Sequence, residues 1–229
     1  GLSDGSAGGD AGSGGVGGQG GAAGVGLIAV TGGAGGNGGA AGTAGGGGTG
    51  TTGTAGSSAL TFTTRTPANS GLGSNRVFGV YADGATVYAA TDGGGLGIST
   101  DGGATFTNRT VANSGLGSNV MRGVYADGAT VYAATDGGGV GVSTDGGATF
   151  TNRTTDNSGL GDNDVTGVYA DGATVYAATI GGLGISTDGG NTFTNYTTAN
   201  SGLGNNTVRG VYADGATVYA ATNGGVGIS

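Results

Sequence analysis

"GVYADGATVYAAT", residues 123–135, recurs without change at 79–91, 167–179 and 210–222. The copies are spaced 44, 44 and 43 residues apart. Each copy holds two β-prone runs separated by an Asp-Gly pair, a standard hairpin signal. In the second copy the runs extend to "VMRGVYA" (120–126) and "TVYAAT" (130–135), around Asp127-Gly128. Working outward, a Gly-rich turn at 136–139 leads to a third strand at 140–144. A "TDGG" turn leads to a fourth at 148–154, "ATFTNRT". "NSGLG", which occurs at 69, 113, 157 and 200, connects to the next copy.

The second strand is apolar on both faces (Val131, Tyr132, Ala133, Ala134), as in a sheet sandwiched between two others. The fourth alternates, with Phe150 and Asn152 on one face and Thr149, Thr151 and Arg153 on the other, as an outer strand does. A four-stranded unit of this length, repeated and covered on both faces, predicts an all-β chain built as a β-propeller. Counted from the fourth strand, residues 59–229 make four blades: 59–99, 100–143, 144–186 and 187–229. A four-bladed ring needs close packing at its axis, which glycines 79, 123, 167 and 210 would permit. "ALTFTTRT" (59–66) aligns with "GATFTNRT" (103–110), so "LTFTTR" (60–65) is expected to pair with "VGIS" (226–229) and close the ring. The competing expectation pairs these strands between successive subunits of a polymer.

At the third turn, "STDGGATF" (99–106 and 143–150) and "STDGGNTF" (186–193) resemble the Asp-box, S-x-D-x-G-x-T-[W/F], of the BNR repeat family. That family includes sialidases, sortilin-type receptors and photosystem assembly propellers, and the resemblance implies a β-propeller. It also implies that Asp101, Asp145 and Asp188, with Gly103, Gly147 and Gly190, are structural turn residues away from any ligand site. The chemistry agrees, since a carboxylate can accept backbone N–H groups and glycine can take φ > 0. A calcium site is the sharper alternative, but one carboxylate per turn is a thin ligand set.

The hydrolases of that family use a Tyr nucleophile with a Glu, an acid/base Asp and three converging Arg. This chain has no Glu, His or Cys. Eight of its nine tyrosines are one repeated pair, and Arg65, Arg109 and Arg153 occupy one equivalent position in successive repeats. The expectation is a non-enzymatic protein without cofactor or metal. A net charge of −8 argues against nucleic acid as a partner. No apolar run reaches the length that spans a bilayer.

Residues 1–58 carry a different period. Every third residue from Gly5 to Gly56 is Gly or Ala, and the next phase is mostly Gly, which makes a Gly-Gly-X repeat. Three residues per turn is the period of the polyproline II helix, and two bare edges let such helices approach closely. The segment resembles the Gly-rich polyproline II bundles of antifreeze proteins and phage tail adhesins. A flexible Gly-rich linker is the other reading, although a linker needs no register. A first residue other than Met fits a cleaved secretion signal and an extracellular or cell-surface location. Together these features predict a structural subunit of an extracellular filament. The Gly-rich segment would pack between chains in a homopolymer, with the propeller displayed as a bead. The alternative is a glycan-binding or adhesive propeller on a flexible tether, recognising a glycan or another surface ligand.

Overall fold

The structure is a computed structural model and describes residues 60–229. The Gly-Gly-X segment of 1–58 lies outside them. The described chain is a succession of antiparallel sheets, one per repeat. The first contains β1 (Val77–Asp83), β2 (Thr86–Thr91), β3 (Leu96–Ser99) and β4 (Thr107–Arg109). The second contains β5 (Met121–Asp127), β6 (Thr130–Thr135), β7 (Val140–Ser143) and β8 (Thr151–Arg153). The third contains β9 (Val165–Asp171), β10 (Thr174–Thr179), β11 (Gly182–Ser186) and β12 (Thr194–Tyr196). The fourth contains β13 (Val208–Asp214), β14 (Thr217–Thr222) and β15 (Gly225–Ile228), and stops at three strands.

Each hairpin turns on Gly-Ala, one residue later than the Asp-Gly pair suggests, because Asp127 pairs directly with Thr130. Gly128 has φ 56° while, among the described residues, none other than glycine has positive φ. That is the pattern of a type II′ turn, which demands glycine at its first central position. At the far end of the hairpin, Thr135 is fully buried and its hydroxyl donates to the Gly139 carbonyl at 2.6 Å. The expected connecting loops also contain short helical turns, α1 (Pro67–Ser70), α2 (Val111–Ser114) and α3 (Thr155–Ser158). Asn113 explains α2: its side chain accepts from the Thr110 N–H at 2.8 Å and donates to the Asn108 carbonyl at 3.1 Å. Gly115 then ends the turn in the left-handed region, φ 78°.

Blades stack through their inner strands. Tyr81, Tyr125, Tyr169 and Tyr212 form a row with ring centroids 4.9, 5.1 and 5.0 Å apart. Burial, then the neighbouring Tyr81 and Tyr169, pushes the Tyr125 hydroxyl up to about 12. The inner-strand glycines form a second row. A side chain on Gly79 would meet the Gly123 backbone, one on Gly123 the Gly167 backbone, and one on Gly167 the Gly210 backbone. Three apolar cores follow, each between consecutive blades. The first joins Tyr88 and Leu96 to Met121, Val131 and Phe150, and the second joins Tyr132 and Val140 to Val165, Val175 and Phe193.

The rows end at the fourth blade. A side chain on Gly210 would meet nothing, and Tyr212 is 55% exposed. The expected closure of the ring within the chain is not formed: residues 60–66 make no strand, and β15 pairs only with β14. The reason is geometric. Each inner strand packs on the next in order, β1 on β5, β5 on β9 and β9 on β13, with no core among the described residues joining the last blade to the first.

Candidate functional site

The three complete S-T-D-G-G turns share one geometry. Asp145 accepts from the Thr149 N–H at 2.9 Å and from the Thr149 hydroxyl at 2.6 Å. The Ser143 hydroxyl donates to Asp145 at 2.7 Å and accepts from the Gly147 N–H at 2.9 Å. Asp101 and Asp188 make the corresponding bonds with Thr105 and Thr192. Gly103, Gly147 and Gly190 hold φ of 86°, 86° and 85° there, which other L-residues rarely adopt. All oxygens of the carboxylates thus face protein donors of their own turn. Among the described residues no group of three His, Cys, Asp or Glu side chains is placed to hold a metal ion.

These bonds hold the pKa of all three carboxyls well below the usual carboxylate range, the threonine donors being the main cause at each. A carboxyl with a depressed folded-state pKa stabilises the fold above its unfolded value, about 4, and loses that contribution as the pH falls toward the folded one. Asp145→Asn is therefore expected to lower the thermal midpoint at pH 7 and to reduce its fall between pH 4 and pH 2. Melting curves across that range check it, and an unchanged slope would contradict the role given to the carboxylate.

The opposite end of each blade is where the near-identical repeats diverge. The stretch before the shared Gly-Val-Tyr reads "SNRVF" at 74–78, "SNVMR" at 118–122, "DNDVT" at 162–166 and "NNTVR" at 205–209. The residue after β2, β6, β10 and β14 also varies: Asp92, Asp136, Ile180 and Asn223. The fold gathers these positions. A groove of about 350 Å³ is lined by Phe78, Arg122, Asp136, Asp164, Thr166 and Arg209. The guanidinium carbons of Arg76 and Arg122 lie 4.7 and 4.9 Å from the centre of the Phe78 ring. Arg76 pairs with Asp92 at 3.0 Å, Arg122 pairs with Asp136, and Arg209 donates from Nε to Asn223 at 3.0 Å. Burial, then the adjacent Asp136, raises the Asp164 carboxyl above its ordinary value. The groove thus offers an aromatic face, guanidiniums and carboxylates. Sequence reasoning missed these residues. A signal was there in a stretch where the repeats disagree.

No family model matches the chain, and no curated protein matches it in sequence. Solved structures do. The extracellular domain assigned to a hybrid two-component system of B. thetaiotaomicron superposes with a TM-score of 0.57 at 19% identity, over 75% of this chain and 23% of that one. An ancestral GH74 enzyme gives 0.53 at 21% identity, over 67% and 22%. YCF48 bound to a D1 peptide gives 0.50 at 16% identity, over 65% and 48%. These likenesses define the class of the described residues, a β-propeller fold. The chain spans about a quarter to about half of the length of these structures.

Proposed function

We propose that this chain is a non-catalytic structural subunit that associates with copies of itself in an extracellular filament, the propeller blades forming beads along it. The observation that carries the proposal is the bare face of the first blade. It exposes Val77 and Val80 (38% and 66%), whereas the equivalent residues of the second blade, Met121 and Val124, are 0% and 9% exposed. An apolar face of this kind suits association with another copy. The Gly-Gly-X register of 1–58 supports the fibre, because such edges allow packing between chains. The extracellular assignment draws support from a neighbour that is itself an extracellular domain. Electron microscopy of the full chain tests the proposal: filaments bearing regularly spaced beads are expected, and dispersed single particles would contradict it.

A second reading has its own observation. Divergence among the repeats at the groove around Phe78, Arg122 and Arg209 supports an adhesive or glycan-binding face, where an aromatic ring and charged groups present themselves together.

A further inference from the structure

Immediately before the shared Gly-Val-Tyr, the four blades carry Phe78, Arg122, Thr166 and Arg209. Three of these side chains are long and one is short. The two arginines turn to partners of their own blades, Arg122 to Asp136 and Arg209 to Asn223 at 3.0 Å. The Thr166 hydroxyl instead donates to the Val208 carbonyl at 2.6 Å, so this side chain folds back onto the backbone. Thr166 lines the groove of about 350 Å³ together with Asp136, Asp164 and Ile180. Where the first two blades place Asp92 and Asp136, the third places Ile180, and that side chain is 40% exposed.

Asp164 is a carboxylate without a cation. Its N–H donates to Asp162 at 2.8 Å and its carbonyl accepts from Ile180 at 3.3 Å, which hold its backbone in place. A Cβ on Gly137 would lie 3.7 Å from its Oδ1, so the side chain reaches over the Gly-rich turn of the second blade. Among the described residues it forms no ion pair, whereas Asp92 and Asp136 hold Arg76 and Arg122. Burial and the neighbouring Asp136 raise its carboxyl, the behaviour of a crowded acid that lacks a counter-ion. The chain itself shows how such an acid is satisfied. Arg76 and Arg122 each pair with one carboxylate, and both guanidiniums lie against the Phe78 ring. Asp164 and the exposed side of Ile180 are left open.

We propose that the groove takes a basic side chain of a partner polypeptide, its charged head at Asp164 and its aliphatic stem on Ile180, in the space that the short Thr166 leaves. Arginine and lysine carry both parts, an apolar stem and a charged tip. A hydrogen bond between the ionised head and the Asp164 carboxylate is stronger than one between neutral groups. The net charge of −8 draws a basic partner toward the protein. A sugar stacking on Phe78 would have to displace Arg76 and Arg122 from the ring, whereas a basic side chain at Asp164 displaces neither. The assignment rests on the second reading above, in which this groove is an adhesive face, and names its occupant.

Fluorescence anisotropy of a labelled, amidated Gly-Arg-Gly-Arg-Gly peptide, titrated with the full chain, tests the proposal. Saturable binding that weakens with added salt is expected. Asp164→Asn should weaken it about tenfold or more, the effect of losing one hydrogen bond between charged groups. Thr166→Arg should do the same by putting the chain's own guanidinium in the seat, and the fold already accepts arginine at this position in the second and fourth blades. Asp171→Asn, at the other end of β9, makes the same change in net charge as either and should leave binding within about twofold. No binding, binding that survives both groove variants, or an equal loss with Asp171→Asn overturns the assignment. Titration with a neutral oligosaccharide separates it from the reading on which it rests. Oligosaccharide binding without peptide binding would sink the basic occupant and leave the adhesive face standing, whereas silence of both probes would remove the face as well.

Discussion

Phe150→Ala is expected to cost about 3–5 kcal/mol of folding stability, the range for removing a large buried aromatic side chain. Phe150 is 8% exposed and belongs to the core between the first two blades, with Leu96, Leu116 and Met121. Its backbone bond to Ser114 survives the substitution, so the loss is packing and the cavity left behind. Urea unfolding of the full chain measures it, and a change below about 1 kcal/mol would contradict the packing described. The same substitution at Phe62 is the informative control. In the separate chain its ring is 86% exposed, so Phe62→Ala should stay within about 0.5 kcal/mol.

Gly138→Ala carries the second large effect, about 3 kcal/mol, at the upper end of the usual cost of overpacking. A Cβ on Gly138 would lie 2.4 Å from the carbonyl carbon of Gly117, so backbone would meet backbone. No rotamer change relieves such a contact. The turn after β6 must move away from the "NSGLG" loop. That motion strains the Gly139 N–H bond to the Asn163 carbonyl of the third blade, now 2.9 Å. The same glycine pair recurs as Gly73 with Gly94, Gly161 with Gly181 and Gly204 with Gly224. Gly146→Ala is the comparison: its position is open to solvent, and only its φ of 72° opposes a side chain. Thermal unfolding of both variants should show the larger fall at Gly138, and equal falls would contradict the close approach.

The blade was legible in the sequence because its causes are local. Alternation, Gly-marked turns and a fixed period act within 44 residues, and the four strands fall where these signals put them. The helical turns were not, because Thr110 and Asn113 in a polar loop carry no apolar period. Their hydrogen bonds appear only once the loop is folded. The ring was misread for a different reason. The match of 59–66 to 103–110 is one of sequence, and residues 60–66 make no strand. Which sheet the segment can reach depends on the rotation from blade to blade. That rotation is set by contacts such as Gly79 against Gly123 and Tyr81 against Tyr125, which no single repeat contains. The groove at Phe78 and Arg122 stayed hidden because its residues come from different repeats and meet only across the stack. With so little variation elsewhere, the disagreement among 74–78, 118–122, 162–166 and 205–209 was the available clue.

A net charge of −8 opposes association of copies at low ionic strength, so assembly should strengthen as salt screens it. Electron microscopy of the full chain, at physiological salt and over a range of concentrations, is the most direct test of self-association through open blade faces. The account predicts filaments whose beads repeat at a fixed spacing. Single particles of one chain at every concentration would contradict it.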